Sequence, residues 1–221
     1  MSNASRNLIF FATCPLLWPC PAPAAGIVGR GLSPDSSFVP NCGQSSNEVL
    51  FSRMDKGHVI ALTRQGAVLR FANKVVTMVL PGTNPNPRVD GLDLQPGLTS
   101  YLIGLNKANW CTDSPTYGRV RYRNIFPGID LIYYGNQRQL EYDLIVAPHA
   151  DPKPITMQFD SSGRLRLSPE GDLILSTDLR LLKPRAYQQT NGARKDIPTH
   201  YILKSRNRVA FALAPYDHTL L

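Results

Sequence analysis

The sequence predicts an all-β fold, an antiparallel β-sandwich-like domain with long Pro/Gly-rich loops. Three observations predict it. No stretch carries three turns of amphipathic helical periodicity. Short segments of alternating apolar and polar residues recur, with turn formers between them. The 19 prolines and 16 glycines among 221 residues suit a turn-rich β protein. The length suits one domain of ordinary size, and an apolar content of 43% supplies a core.

Residues 1–24 read as a signal peptide. A short polar stretch with Arg6 precedes the apolar run Leu8–Trp18, which is too short to span a bilayer. Ala22-Pro23-Ala24 fits a small-x-small cleavage site, with the cut after Ala24. Cys20 does not read as a lipidation site, because Leu17-Trp18-Pro19 lacks the small residues required before it. Residues 25–37 are Gly/Ser/Pro-rich and read as a flexible leader. The single β-rich module then spans 38–221.

Strands are expected at Val49–Arg53, His58–Thr63, Ala67–Phe71 and Val75–Leu80, with turns at Gln65-Gly66 and Ala72-Asn73. Pro81–Gly97 holds four prolines and three glycines, so it reads as a loop and is neither a helix nor a central strand. Tyr101–Gly104 resumes a short strand, and Asn106–Thr112 suits one helical turn around Trp110. Three strands follow at Tyr117–Arg123, Ile129–Tyr134 and Leu140–Val146. Later ones lie at Ile155–Phe159, Arg164–Leu167, Leu173–Ser176, Arg185–Gln189, His200–Leu203 and Val209–Leu213.

The segment Tyr117–Pro152 carries the most chemistry. Side chains alternate faces along a strand. Arg119, Arg121 and Arg123 therefore share one face, opposite Val120 and Tyr122. Asp130, Ile132 and Tyr134 share a face, as do Glu141, Asp143 and Ile145. A hairpin centred on Asn136-Gln137 would set Asp130 opposite Asp143 and Ile132 opposite Glu141. Two acids face to face need a counter-charge, a metal or a shared proton. A shared proton would make a hydrolytic carboxylate pair from two of Asp130, Glu141 and Asp143. A metal on Asp130 and Asp143 would be calcium, given hard oxygen ligands. The counter-charge option is a ladder of Arg119, Arg121 and Arg123 with Asp130, Glu141 and Asp143, which needs no function; the ladder is the expectation.

Other chemistries find little support. His58, His149, His200 and His218 are scattered without a metalloprotease spacing. There is no Gly-x-Ser-x-Gly elbow and no phosphate-binding Gly loop. Trp110 and Tyr117, flanking a polar loop, are the aromatics placed to stack on a glycan. A formal charge of +8 is dispersed, which suits a solvated surface and not a nucleic-acid groove. If residues 1–24 are removed, Cys42 and Cys111 remain. They either pair, closing a loop of about 69 residues, or stand as two buried thiols.

The stretch Phe38-Val-Pro-Asn-Cys-Gly-Gln44 resembles the F-x-P-N-x-G-Q opening of a module of unknown function. That module is found near the N-terminus of exported bacterial proteins, ahead of SBBP-type β-propeller repeats. Similar pieces are Tyr101-Leu-Ile-Gly104, Trp110, Val120-Arg-Tyr122, Phe126-Pro-Gly-Ile-Asp130, Tyr133-Tyr-Gly135, Leu140-Glu-Tyr-Asp143, Ala150-Asp-Pro152, Gly171-Asp172, Pro184, Tyr187-Gln188 and Tyr216-Asp217. The resemblance spans Phe38 to Leu221. It implies export to a secreted or cell-surface setting and a structural or interaction role without catalysis. Its implied partners are β-propeller-type repeats or other surface domains, with glycan as the alternative. The cysteines depart from the module's pattern, which favours a Cys42–Cys111 pair. The chain also stops where the module would continue through a further short strand into its repeats.

Overall fold

The computed structural model describes residues 8–14, 37–55, 58–71, 74–102, 110–136, 139–160, 163–176, 179–190 and 193–219. All regular structure among them is β. The first seven strands are β1 (Leu8–Cys14), β2 (Val39–Pro40), β3 (Val49–Asp55), β4 (His58–Thr63), β5 (Gly66–Phe71), β6 (Lys74–Val79) and β7 (Arg88–Tyr101). Then come β8 (Cys111–Phe126), β9 (Ile129–Asn136), β10 (Gln139–Val146), β11 (Thr156–Asp160), β12 (Arg166–Leu167), β13 (Leu173–Ser176) and β14 (Leu179–Leu181). The last are β15 (Arg185–Thr190), β16 (Ala193–Ile197), β17 (Thr199–Leu203) and β18 (Arg208–Leu213).

They form three antiparallel sheets. One has seven strands in the order β16-β15-β1-β10-β9-β8-β7. The second has eight, β17-β18-β11-β6-β5-β4-β3-β2, and a small third is β12-β13-β14. The long meanders β3 to β6 and β7 to β10 follow directly from alternation broken by turn residues. β1, β2, β14 and β16 escaped the sequence reading. β14 has only three residues, too few for its Leu-Arg-Leu alternation to stand out, and β16 is exposed at four of five positions.

The Pro/Gly-rich segment expected to be a loop is only partly one. Pro81–Pro87 is irregular, but Arg88 onward forms β7, the outermost strand of its sheet. An edge strand tolerates Pro because one row of its backbone groups faces away from the ladder. Pro96-Gly97 falls in a register shift between Leu94 and Leu98, which releases it from pairing. Of the expected Tyr101–Gly104 strand, Tyr101 is paired and Leu102 lies outside any strand; residues 103–109, including most of the expected helical turn, lie outside the described residues.

One core is shared by the sheets. Val120, Tyr122, Leu131, Tyr133, Tyr142 and Leu144 face it from the first, and Leu62, Leu69 and Met78 from the second. Tyr122, Tyr133 and Tyr142 make edge-to-face contacts across three strands, with centroids 5.7 and 6.3 Å apart. The Tyr122 hydroxyl crosses to the second sheet and donates to the Thr63 carbonyl at 2.7 Å. Tyr142 does the same toward the sulfur of Met157 at 3.1 Å.

Beneath the β9–β10 hairpin lies Arg53, only 2% exposed, its guanidinium 6.0 Å from the Phe38 ring centroid. Gly135 permits this: a Cβ there would sit 1.2 Å from Arg53 Nη1. Gly135→Ala should therefore cost roughly 1–3 kcal/mol through overpacking. Denaturant titrations of the single variants and of the double variant with Arg53→Ala check this. The Gly135→Ala penalty should shrink once Arg53 is shortened; additive losses would refute the contact as its cause.

Cys42 and Cys111 are joined as a disulfide across 69 positions, with Cα atoms 5.9 Å apart. It ties the loop after β2 to the start of β8. The chain-entropy model assigns it roughly 4 kcal/mol. Replacing both cysteines with serine should lower the urea midpoint accordingly, and reductant should do the same to the wild type while leaving the double variant unmoved.

Candidate functional site: the charged face of the seven-stranded sheet

Alternation sets up this face. Val120 and Tyr122 are fully buried on the core side, so Arg119, Arg121 and Arg123 point outward together. On β9, Ile129, Leu131 and Tyr133 are at most 1% exposed, which turns Asp130 and Tyr134 outward. Across β10 the outward residues are Glu141 and Asp143.

The register differs from the one expected. Asn136 pairs with Gln139, so the partner of each β9 residue lies two positions further along β10 than expected. A two-residue slip keeps every side chain on its face but changes its neighbour. Asp130 now opposes Ile145, Asp143 opposes Ile132, and Glu141 opposes Tyr134. The direct Asp130–Asp143 pairing therefore does not occur.

The arginines find acids, though mostly not those expected. Arg121 binds Asp130 through Nε at 2.9 Å and through a closer Nη2 contact, and the Asn124 amide donates to the other carboxylate oxygen at 2.7 Å. Arg119 turns instead to Asp93 on β7, with Nη2 to Oδ1 at 3.0 Å and an Nε contact to Oδ2. Arg123 donates from Nε to Asp90 at 2.6 Å, and Arg88 holds the same carboxylate at 3.0 Å. The hydrogen bond from Arg123 keeps the Asp90 carboxyl below the usual aspartate range, and Arg119 does so for Asp93. Asp90 and Asp93 were missed in the sequence because the Pro/Gly-rich context masked the strand that carries them.

Among the described residues, no arginine bonds Asp143. Its Oδ1 accepts from the Tyr134 hydroxyl at 2.9 Å. Burial pushes its pKa up to about 7, outweighing the opposing effect of that hydrogen bond. Glu141 is 7% exposed two residues earlier, and it also interacts with the Tyr134 hydroxyl. With Asp130 held by Arg121, the remaining acids are neighbours along one strand, not a facing pair across a cleft. Among the described residues, no group of three or more His, Cys, Asp or Glu side chains is placed to hold a metal ion.

Of the two aromatics expected to meet a ligand, Tyr117 is drawn into packing. Its ring lies over the backbone of Gly91 and against Phe51, with centroids 6.1 Å apart, and its backbone bridges to Phe38. Trp110 is half-buried beside Cys111. A separate cleft of about 370 Å³ lies between Asp151–Ile155 and Phe211–His218, where the Tyr216 and His218 ring centroids lie 4.2 Å apart with the planes tilted by 42°. Nothing in the spacing of those residues announced it.

The motif residues make bonds within the fold. Asn41 donates from Nδ2 to the carbonyls of Ser46 and Val49 at 2.8 and 2.9 Å, and its Oδ1 accepts from the amides of Gly43 and Ser45. Gln44 donates to the Pro40 carbonyl at 2.8 Å and accepts from the Cys42 amide at 2.7 Å. Gly43, with φ 115°, supplies the conformation this knot demands. Asp172 accepts from the Lys183 amide at 2.9 Å, and Gln188 exchanges two hydrogen bonds with the backbone of Asp217.

Residues 38–221 match the family described as a domain of unknown function, DUF7948, and the chain belongs to that family. No curated protein matches the chain. No solved structure matches it.

Asp143 makes stability fall with rising pH. The folded state holds its proton more tightly than the unfolded chain, whose aspartate titrates near 3.8. Stability is therefore lost between about pH 3.8 and 7 and stays low above. Asp143→Asn removes this penalty. Its stability relative to wild type should improve from pH 4 to pH 8 by roughly 1–2 kcal/mol, a value reduced for solvent screening. Thermal melts of both proteins across that range test it; parallel curves would show that Asp143 is not the titrating group.

Proposed function

We propose that the chain is an exported, non-catalytic structural or interaction module of a secreted or cell-surface protein. The observation that carries this is the use of its chemistry-bearing residues. The arginine stripe and Asp130 are taken up in ion pairs, and the motif residues in bonds that build the fold. The Cys42–Cys111 disulfide supports an oxidising compartment. The resemblance to modules ahead of SBBP-type repeats supports a role beside propeller-type or other surface domains. Among the described residues no helix is long and apolar enough to cross a membrane.

The cleft beside Tyr216 favours one second reading, a carbohydrate-binding module. The tilted Tyr216 and His218 rings, with Asp151 and Lys153 nearby, offer aromatic and polar partners for a sugar.

Export is tested by expressing the full chain in a bacterium and determining the N-terminal residue of the protein outside the cytoplasm. The expected mature terminus is Ala25. A protein that stays cytoplasmic with residues 1–24 attached would overturn the export reading. The expected Ala22-Pro23-Ala24 cleavage site lies outside the described residues.

A further inference from the structure

Strand β1 occupies an unusual place. It is a central strand of the seven-stranded sheet, yet it lies outside residues 38–221 that define the family. It pairs along its whole length with β10, from Leu8↔Val146 to Cys14↔Leu140. On its other side Leu8 to Phe11 pair with Gln188 to Arg185 of β15. β10 and β15 do not pair with each other; β9 and β16 cover only their far sides. Without β1, the facing backbone groups of two interior strands would lose their partners. Those strands carry Leu144, Ala186 and Gln188, at most 3% exposed. Orphaned backbone groups at such depth are strongly unfavourable, so a folded family module needs a strand here.

The C-terminal segment lies at the mouth of this slot. The Gln188 side chain binds the backbone of Asp217, and the His149 amide, three residues beyond Val146, donates to the His218 carbonyl at 3.0 Å. Gln188 and Val146 are the partners of Leu8, where β1 begins. A chain running on from His218 into the slot would travel in the direction of β1. It would be antiparallel to both neighbours, the only polarity the ladders use.

We propose that the space between β10 and β15 is a strand-acceptor slot, and that β1 is a replaceable occupant. Its other occupant is an apolar strand of about seven residues joined downstream of His218, entering beside Gln188. Such a strand carries no proline, since both of its edges are paired, and it is apolar at the positions beside Leu144 and Tyr142. Removal of β1 in this scheme rests on the export reading; acceptance of a second strand does not.

The test uses the full chain. Phe10→Pro interrupts β1 at the partner of Leu144 and Ala186 and should lower Tm by about 5–10 °C. Appending the sequence of residues 8–14, with serine for the cysteine, after Leu221 through a short Gly/Ser linker should recover most of that loss. A scrambled, proline-containing extension should not. If Phe10→Pro prevents folding, the wild-type chain bearing the apolar extension decides. Hydrogen exchange should then show lost protection at residues 8–14 while β10 and β15 stay protected. No Tm change on Phe10→Pro overturns the placement of β1. A destabilised Phe10→Pro that the extension does not rescue, or undiminished protection of residues 8–14 in the extended wild type, overturns exchange. Failure of export would appear separately, as an uncleaved N-terminus.

Discussion

Every feature of the seven-stranded sheet depends on complete backbone pairing of β10. This strand is bonded to β9 on one side and β1 on the other, and it carries core residues on one face and acids on the other. Leu140, Tyr142, Leu144 and Val146 are at most 3% exposed, so β10 cannot slide by one residue without burying Glu141 and Asp143 in the core. Its position fixes β9, which fixes Asp130 beside Arg121, which in turn presents Arg119 and Arg123 to β7. A hydrogen-bond ladder thus decides where the charges meet. The charges themselves, half-exposed and screened, add little to stability.

The charge pattern also explains the inequality among the acids. Each arginine binds a carboxylate of an adjacent strand: Asp90 and Asp93 on β7, and Asp130 on β9. Asp143 is one strand further away, shielded by Ile132 on its row. It receives a phenol in place of a guanidinium, and burial holds its proton. An isolated acid of this kind resembles a catalytic group when viewed by pKa alone. Among the described residues its neighbouring carboxyl, Glu141, lies two positions away on the same strand, whereas a hydrolytic pair faces across a space that holds substrate.

Much of this was legible in the sequence. Period-two alternation placed the three arginines on one face and the tyrosine row in the core. The register was not legible, because Gly135-Asn-Gln-Arg138 offers turn formers at several positions and a two-residue slip leaves the alternation intact. The acids of β7 were hidden by Pro96 and the glycines around it, which look like loop until the strand is known to lie at an edge. Leu8–Cys14, read in the sequence as part of a signal peptide, was missed as a strand for a deeper reason. LIFFATC is apolar, aromatic and β-branched, as a signal-peptide core and a buried strand both require. Composition cannot separate a segment chosen to partition into an export channel from one chosen to fill a sheet, since both select for the same burial.

That ambiguity bears on what the family motifs encode. A residue retained for chemistry must keep its reactive atoms available to a substrate. Asn41 and Gln44 spend theirs on backbone groups of a single loop, and Gly43 contributes only a dihedral angle. Asp130 spends both oxygens on Arg121 and Asn124, and Gln188 both side-chain atoms on Asp217. Gln188 is the informative case. A buried amide that grips the backbone of Asp217, next to the pairing of Gln188 with Leu8, fixes the position of that segment. The motifs are therefore best understood as the parts that hold a sheet, a charged face and the segment around Asp217 in fixed relation.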